Sequence, residues 1–230
     1  LRYNNKFIDF KKVVNNFEYV KNIIDLEANF KNTFTISFDN TYKIKKYNYT
    51  SSGEIFKATF KFKNALENYF IGEKINDLSL INAKFKTNFD SKKNNTNISG
   101  KYSINNDDPL QFSLENKIDK GLFKLKLDAK YLKVFEFDLI NYKKAKGSVA
   151  NFSLNLEKRE NDLKVKNFNF SEKNNLILAE DVKFSNDKFL SFKKIYVKTN
   201  FEKKKNNDFS IIFGKEIKIT GTHFDARNLA

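Results

Sequence analysis

The sequence predicts an all-β protein: a long curved antiparallel sheet in meander order, forming an open hydrophobic groove, with at most one or two short helices. Three observations carry this. Apolar and polar residues alternate with a period of two along most of the chain, polar clusters recur between the alternating stretches, and helical spacing is almost absent. Successive side chains on a strand point to opposite faces, so a period of two means one apolar side and one wet side. One-sided alternation belongs to antiparallel sheets, whereas buried parallel strands are apolar throughout.

The elements follow in chain order. In "NKFIDFKKVVNNFEYV", Phe7, Phe10, Val14 and Phe17 recur at spacings of three and four. That spacing predicts a short amphipathic helix from about Asn5 to Asn15, with residues 1–18 as helix or connector. Residues 19–222 then read as one continuous antiparallel β groove. "FKATFKFK" and "LQFSLENKI" alternate loosely. "LFKLKLDAKY" alternates strictly, setting Phe123, Leu125, Leu127, Ala129 and Tyr131 against Lys124, Lys126, Asp128 and Lys130. "NFSLNLEK" sets Phe152, Leu154 and Leu156 against Ser153, Asn155 and Glu157. Leu163 and Val165 lie on one parity and Phe168 and Phe170 on the other, which predicts a β-bulge near Lys166 and Asn167.

Turns are expected at "DNT" near Asn40, "SSG" ending at Gly53, "SKKNNTN" after Asp90, "NNDDP" ending at Pro109 and "DKG" ending at Gly121. Further turns are expected at "KRENDL" after Glu157, "EKNN" after Ser171 and "SNDK" after Phe184. They divide the chain into about a dozen strands of roughly eight to eleven residues. Residues 223–230 read as the start of a helix, with Asp225 as its N-cap, or as a linker to a following repeat.

Composition narrows the function classes. The chain has 230 residues, 26 of them Phe, so apolar area for burial is ample. It begins at Leu1 and contains no Met, and is read as a piece of a longer protein whose targeting segment or anchor lies outside it. The net charge of +15 invites a nucleic-acid partner. Against that, the lysines are spread evenly, and the Lys, Asn, Ile and Phe bias is what an AT-rich genome writes; no nucleic-acid partner is expected. The chain has no Cys, which excludes disulfides, thiolate metal sites and Cys nucleophiles.

The apolar faces need a cover, since burial of apolar area is worth about 25 cal/mol per Å². Three covers are open: a second sheet in a sandwich, closure into a barrel, or a trough whose lining meets lipid chains. A membrane barrel calls for aromatic girdles near strand ends, and here Phe is scattered along the strands. The trough fits best, with Phe123, Leu125, Leu127, Phe152, Leu154, Leu156, Leu163 and Val165 as its lining. A structural or adhesive β-sandwich outside the cytoplasm, carrying no lipid, is the alternative.

The close of the chain, "GTHFDARNLA", follows an alternating strand and resembles the end of a repeat in the AsmA-like proteins of Gram-negative bacteria, the YhdP- and TamB-type group. Gly221, Phe224, Asp225 and Ala226 hold the places of that motif. The stretch from Ile23 to Ile55 is similar to the family's pairing of long strands with a Gly-started return. The resemblance implies a curved sheet with a hydrophobic groove that carries phospholipid acyl chains between membranes. It further implies a periplasmic location, an inner-membrane anchor and an outer-membrane reach supplied by flanking segments, and no catalytic residues. In that setting Gly221 would permit a tight approach or a positive φ, Phe224 would plug the sheet end and Asp225 would cap a helix.

Candidate chemistry is sparse. His223 is the only histidine, and without Cys or a second His a metal site lacks ligands. Asp107 and Asp108 precede Pro109 in a turn, and Glu180 and Asp181 are strand neighbours that point to opposite faces. Asn48, Asn97 and Asn151 begin Asn-x-Ser/Thr triplets of the kind an Asn-rich chain produces by chance. No phosphate loop and no nucleophile elbow occurs. The expectation is a protein without enzymatic activity, cofactor or metal; its oligomeric state is not readable.

Overall fold

The computed structural model describes residues 2–3, 20–68, 71–90, 93–202 and 204–227. The helix expected over residues 5–15 lies outside these. The fold is all-β: an open antiparallel meander of fourteen strands and a two-stranded ribbon, with one 3-10 helix among the described residues. The chain divides into two compact units, 1–67 with 74–120, and 68–73 with 121–230.

The first unit contains β1 (Arg2–Tyr3), β2 (Val20–Phe38), β3 (Ile44–Asn68) up to residue 67, β4 (Ile71–Asp90) from residue 74, β5 (Lys93–Ile104) and β6 (Leu110–Asp119), paired in chain order. β2, β3 and β4 run for 19, 25 and 20 residues, about twice the expected length. The reason is that "SSG" is not a turn. Ser51 and Gly53 sit inside β3, opposite Asn32 and Phe30, and a ladder of backbone hydrogen bonds outweighs the local turn preference. The expected turn near Asn40 does form, with Asp39 Oδ1 accepting from the Thr41 and Lys43 backbone amides at 2.8 and 3.0 Å.

Gly53 has a packing reason. With no side chain at that point of β3, Phe30 of β2 reaches Phe85 of β4 edge-to-face, ring centroids 5.3 Å apart. Most buried residues of this unit are small: Ala28, Ala58 and Ala83, with Thr59 and Ser79 joined by a 2.9 Å hydroxyl hydrogen bond; Leu26 and Ile75 are the larger side chains buried with them. Phe34, Ile36 and Phe38, on the same face as Phe30, remain exposed.

The second unit contains β7 (Leu122–Tyr131), β8 (Phe135–Phe137), the 3-10 helix (Asp138–Ile140), β9 (Tyr142–Lys144), β10 (Ala150–Arg159) and β11 (Asp162–Glu172). It continues with β12 (Asn175–Ser185), β13 (Lys188–Ser191), β14 (Lys194–Phe201), β15 (Lys204–Phe213) and β16 (Ile217–His223). The sheet order is β7-β10-β11-β12-β14-β15-β16, with β13 beside β12. Among the described residues β16 pairs with β15 alone, so the sheet is open at that edge. The bulge expected near Lys166 is present: Asn155 pairs with Asn167 and Leu156 with Val165, leaving Lys166 over.

β8, the 3-10 helix and β9 form an insert between β7 and β10. Ile140 and Tyr142 pack onto one end of the sheet with Ala150, Phe170, Ile177, Val197 and Phe209, all buried. Phe135 stacks on Phe170 at 4.7 Å. This insert is a cover that the alternation pattern does not announce.

Candidate functional site

Strand register assembles one apolar face across the second unit. In an antiparallel pair, residues directly opposite share a face, so the pairings can be read as rows. The first row is Ala129, Phe152, Phe170, Ile177, Val197, Phe209 and Gly221. The second is Leu127, Leu154, Phe168, Ala179, Ile195, Ile211 and Ile219. The third holds Leu125, Leu156, Val165 and Val182, and the fourth Phe123, Lys158, Leu163 and Phe184. The other face is wet. There Glu157 accepts ion pairs from Lys124 and Lys166 at 3.1 and 2.8 Å, and these cations hold its carboxyl below the ordinary range.

All eight residues expected to line a groove therefore lie on this face, in adjacent rows. Phe152 belongs to the first row, Leu127 and Leu154 to the second, Leu125, Leu156 and Val165 to the third, and Phe123 and Leu163 to the fourth. Each is half-buried. The insert buries much of the first row: Phe170, Val197 and Phe209 are at most 3% exposed. Beyond it the apolar face continues toward the opposite rim, where Phe184, Phe189, Phe192 and Phe213 make a chain of ring contacts at 5.3 to 6.1 Å. Phe189 in that group is 50% exposed.

The insert is held by polar contacts at the sheet end. Lys144, fully buried, donates to the carbonyl oxygens of Leu132, Lys133 and Ala145 at 2.9, 2.7 and 3.0 Å, closing the insert on itself. Burial lowers its pKa. Glu172 accepts from Ser148, from Tyr142 Oη at 3.3 Å and from Asn175 at 2.7 Å. Burial pushes its carboxyl up, yet these donors and Lys173 together hold it below the ordinary range. Asn207, also fully buried, donates to Ile140 O at 2.7 Å and to Thr199 at 2.8 Å and accepts from the Asp225 amide at 2.9 Å. Lys133 and Lys146 reach Glu73 at 3.0 and 3.3 Å.

The terminal motif lands on the same end. A Cβ at Gly221 would stand 2.5 Å from Phe209 Cα, so of its two expected roles the structure uses the tight approach; its φ is not positive. Phe224 meets Phe209 edge-on at 4.9 Å while 44% exposed. Asp225 is buried and takes a bidentate contact from Arg227 (2.8 and 2.6 Å) and hydrogen bonds from Asn206 and Asn141, both 3.1 Å. Arg227, first among its causes, holds the Asp225 carboxyl far below the usual carboxylate range. The Arg227 amide also donates to Asp225 at 3.3 Å, the contact of an N-cap, and residues 228–230 lie outside the described ones. Ala226 is exposed beside it.

The candidate catalytic groups stay apart. The His223 ring nitrogen lies 2.9 Å from the hydroxyl of its neighbour Thr222, while Glu180 pairs with Lys193 and Asp181 with Lys164. No group of three His, Cys, Asp or Glu able to hold a metal occurs among the described residues. None of their helices is long and apolar enough to cross a membrane. Sequence reasoning missed two features: the insert, and Lys158, which continues the parity of Phe152, Leu154 and Leu156 and so stands on the apolar face. No family model, curated protein or solved structure matches this chain.

Proposed function

We propose that this chain is a segment of an intermembrane phospholipid conduit of the bacterial envelope, binding acyl chains on its apolar sheet face. The observation that carries the reading is the second unit's continuous apolar face, buried by the insert at one end and only half-buried across Leu125, Leu127, Leu154, Leu156, Leu163 and Val165. Burying a leucine fully is worth about 1.5–3 kcal/mol relative to exposure, so a row of half-covered ones leaves free energy for a hydrocarbon ligand to collect. Such a wall holds chains without specific polar contacts, which suits sliding transport. The AsmA-like resemblance of the Gly221–Ala226 motif supports the same reading. With it come a periplasmic place, an inner-membrane anchor in flanking sequence, an outer-membrane partner, no nucleic acid and no catalysis.

The test is extraction of the purified chain from a membrane-containing host, with lipids counted by mass spectrometry. Phospholipid should co-purify, and the double variant Leu125→Asp, Leu154→Asp should lose it while keeping its strand signal in circular dichroism. A lipid-free wild-type chain would reject the reading and leave a structural β-domain without cargo.

A further inference from the structure

Lys158 breaks the rule that the rest of its strand obeys. It lies opposite Phe123 of β7 and Leu163 of β11, in the row beyond Leu125, Leu156 and Val165, and is thus a cation at the open rim of the apolar face. It is exposed and has no ion-pair partner among the described residues, whereas Lys124, Lys164 and Lys166 of neighbouring strands are paired on the wet face. The opposite end of the same face is shut by Ile140 and Tyr142 of the insert. Two rows separate Lys158 from the row the insert buries, a span of roughly 13–20 Å at two residues per row.

Resting on the acyl-binding reading above, we infer that Lys158 is a head-group anchor, selecting anionic over neutral amphiphiles. The tail lies along the strands over Leu156, Leu154 and their neighbours and ends against the insert, while the carboxylate or phosphate stays at the wet rim. One apolar strip, closed at one end and bearing the Lys158 cation within its own face at the other, matches a single-chain anionic amphiphile in both shape and charge. The competing physical account is that Lys158 only lays its methylene stem on the rim and is solvated at its tip, with no part in binding.

The two accounts separate with a matched probe pair, dodecanoate and dodecanol, titrated into the full chain at low salt. Wild-type protein should prefer dodecanoate by about fivefold, the scale of one solvent-accessible ion pair, and salt should erode the preference. Lys158→Met should bind the two probes equally, with dodecanol affinity unchanged, and Lys158→Glu should invert the order. Lys126→Met, on the wet face, should leave the preference intact. If Lys158→Met keeps the preference, or Lys126→Met removes it equally, the anchor is overturned while acyl binding stands. If neither probe binds wild-type protein, the acyl-binding reading falls and the anchor falls with it.

Discussion

At the scale of single residues, the sheet end is where small changes should cost most. Gly221 lies against the backbone of Phe209, and a methyl group there meets Phe209 Cα at 2.5 Å and Cβ at 2.6 Å, positions that two paired strands cannot vacate. Gly221→Ala should therefore lower stability by about 1–3 kcal/mol, the usual range for overpacking, measured by urea unfolding. Gly121 makes the contrast: no atom lies near its missing Cβ, and only its φ of +77° argues for glycine. Lys144→Met addresses chemistry instead of volume. It strips the buried Lys133 carbonyl oxygen and the part-buried ones of Leu132 and Ala145 of their donor, and leaving a buried acceptor unmade costs about 1–3 kcal/mol. An unchanged midpoint would mean that water replaces the ammonium.

At the scale of elements, the insert is a cover fastened by carboxylates, and its pH dependence follows from their sign. Asp225 and Glu172 are both held below their ordinary values, Asp225 by Arg227 and Glu172 by hydrogen-bond donors that outweigh its burial. Each group's contribution is fully present above its unfolded value, near 4, and is lost as pH falls through the lower folded value. Amide exchange in residues 132–149 should accelerate below about pH 4 while the centres of β10 and β11 stay protected; uniform acceleration would show that the carboxylates do not fasten the insert selectively. How much of this was legible follows from the same elements. Alternation located β7, β10 and β11 and their shared face, and the parity change at Lys166 located the bulge, because a period of two is set by the backbone alone. The insert has strands of three residues, too short to display a period. Its signal was the loss of alternation after Asp138, in a stretch from Val134 to Tyr142 where six of nine residues are apolar. "SSG" misled for the opposite reason: its residues favour a turn locally, and the β2 ladder and the Phe30–Phe85 contact override them.

At the scale of the whole molecule, the two units solve the same problem unequally. The second buries Phe170, Ile177, Val197 and Phe209 beneath an insert, whereas the first buries mainly alanines and small hydroxyl residues and leaves Phe34, Ile36 and Phe38 exposed. Apolar stabilisation scales with the area removed from water, so the first unit should be the weaker. Urea unfolding of the intact chain should then proceed in two steps, and pulse-labelled exchange should assign the earlier one to residues 20–67 and 74–119. An acyl ligand adds a further distinction. It stabilises whichever unit binds it in proportion to the logarithm of its concentration over the dissociation constant. Titrating dodecanoate should move the later step upward, because the strip beside Lys158 belongs to the second unit. Movement of the earlier step alone would transfer the binding face to Phe34, Ile36 and Phe38, and a single transition would refute the unequal cores.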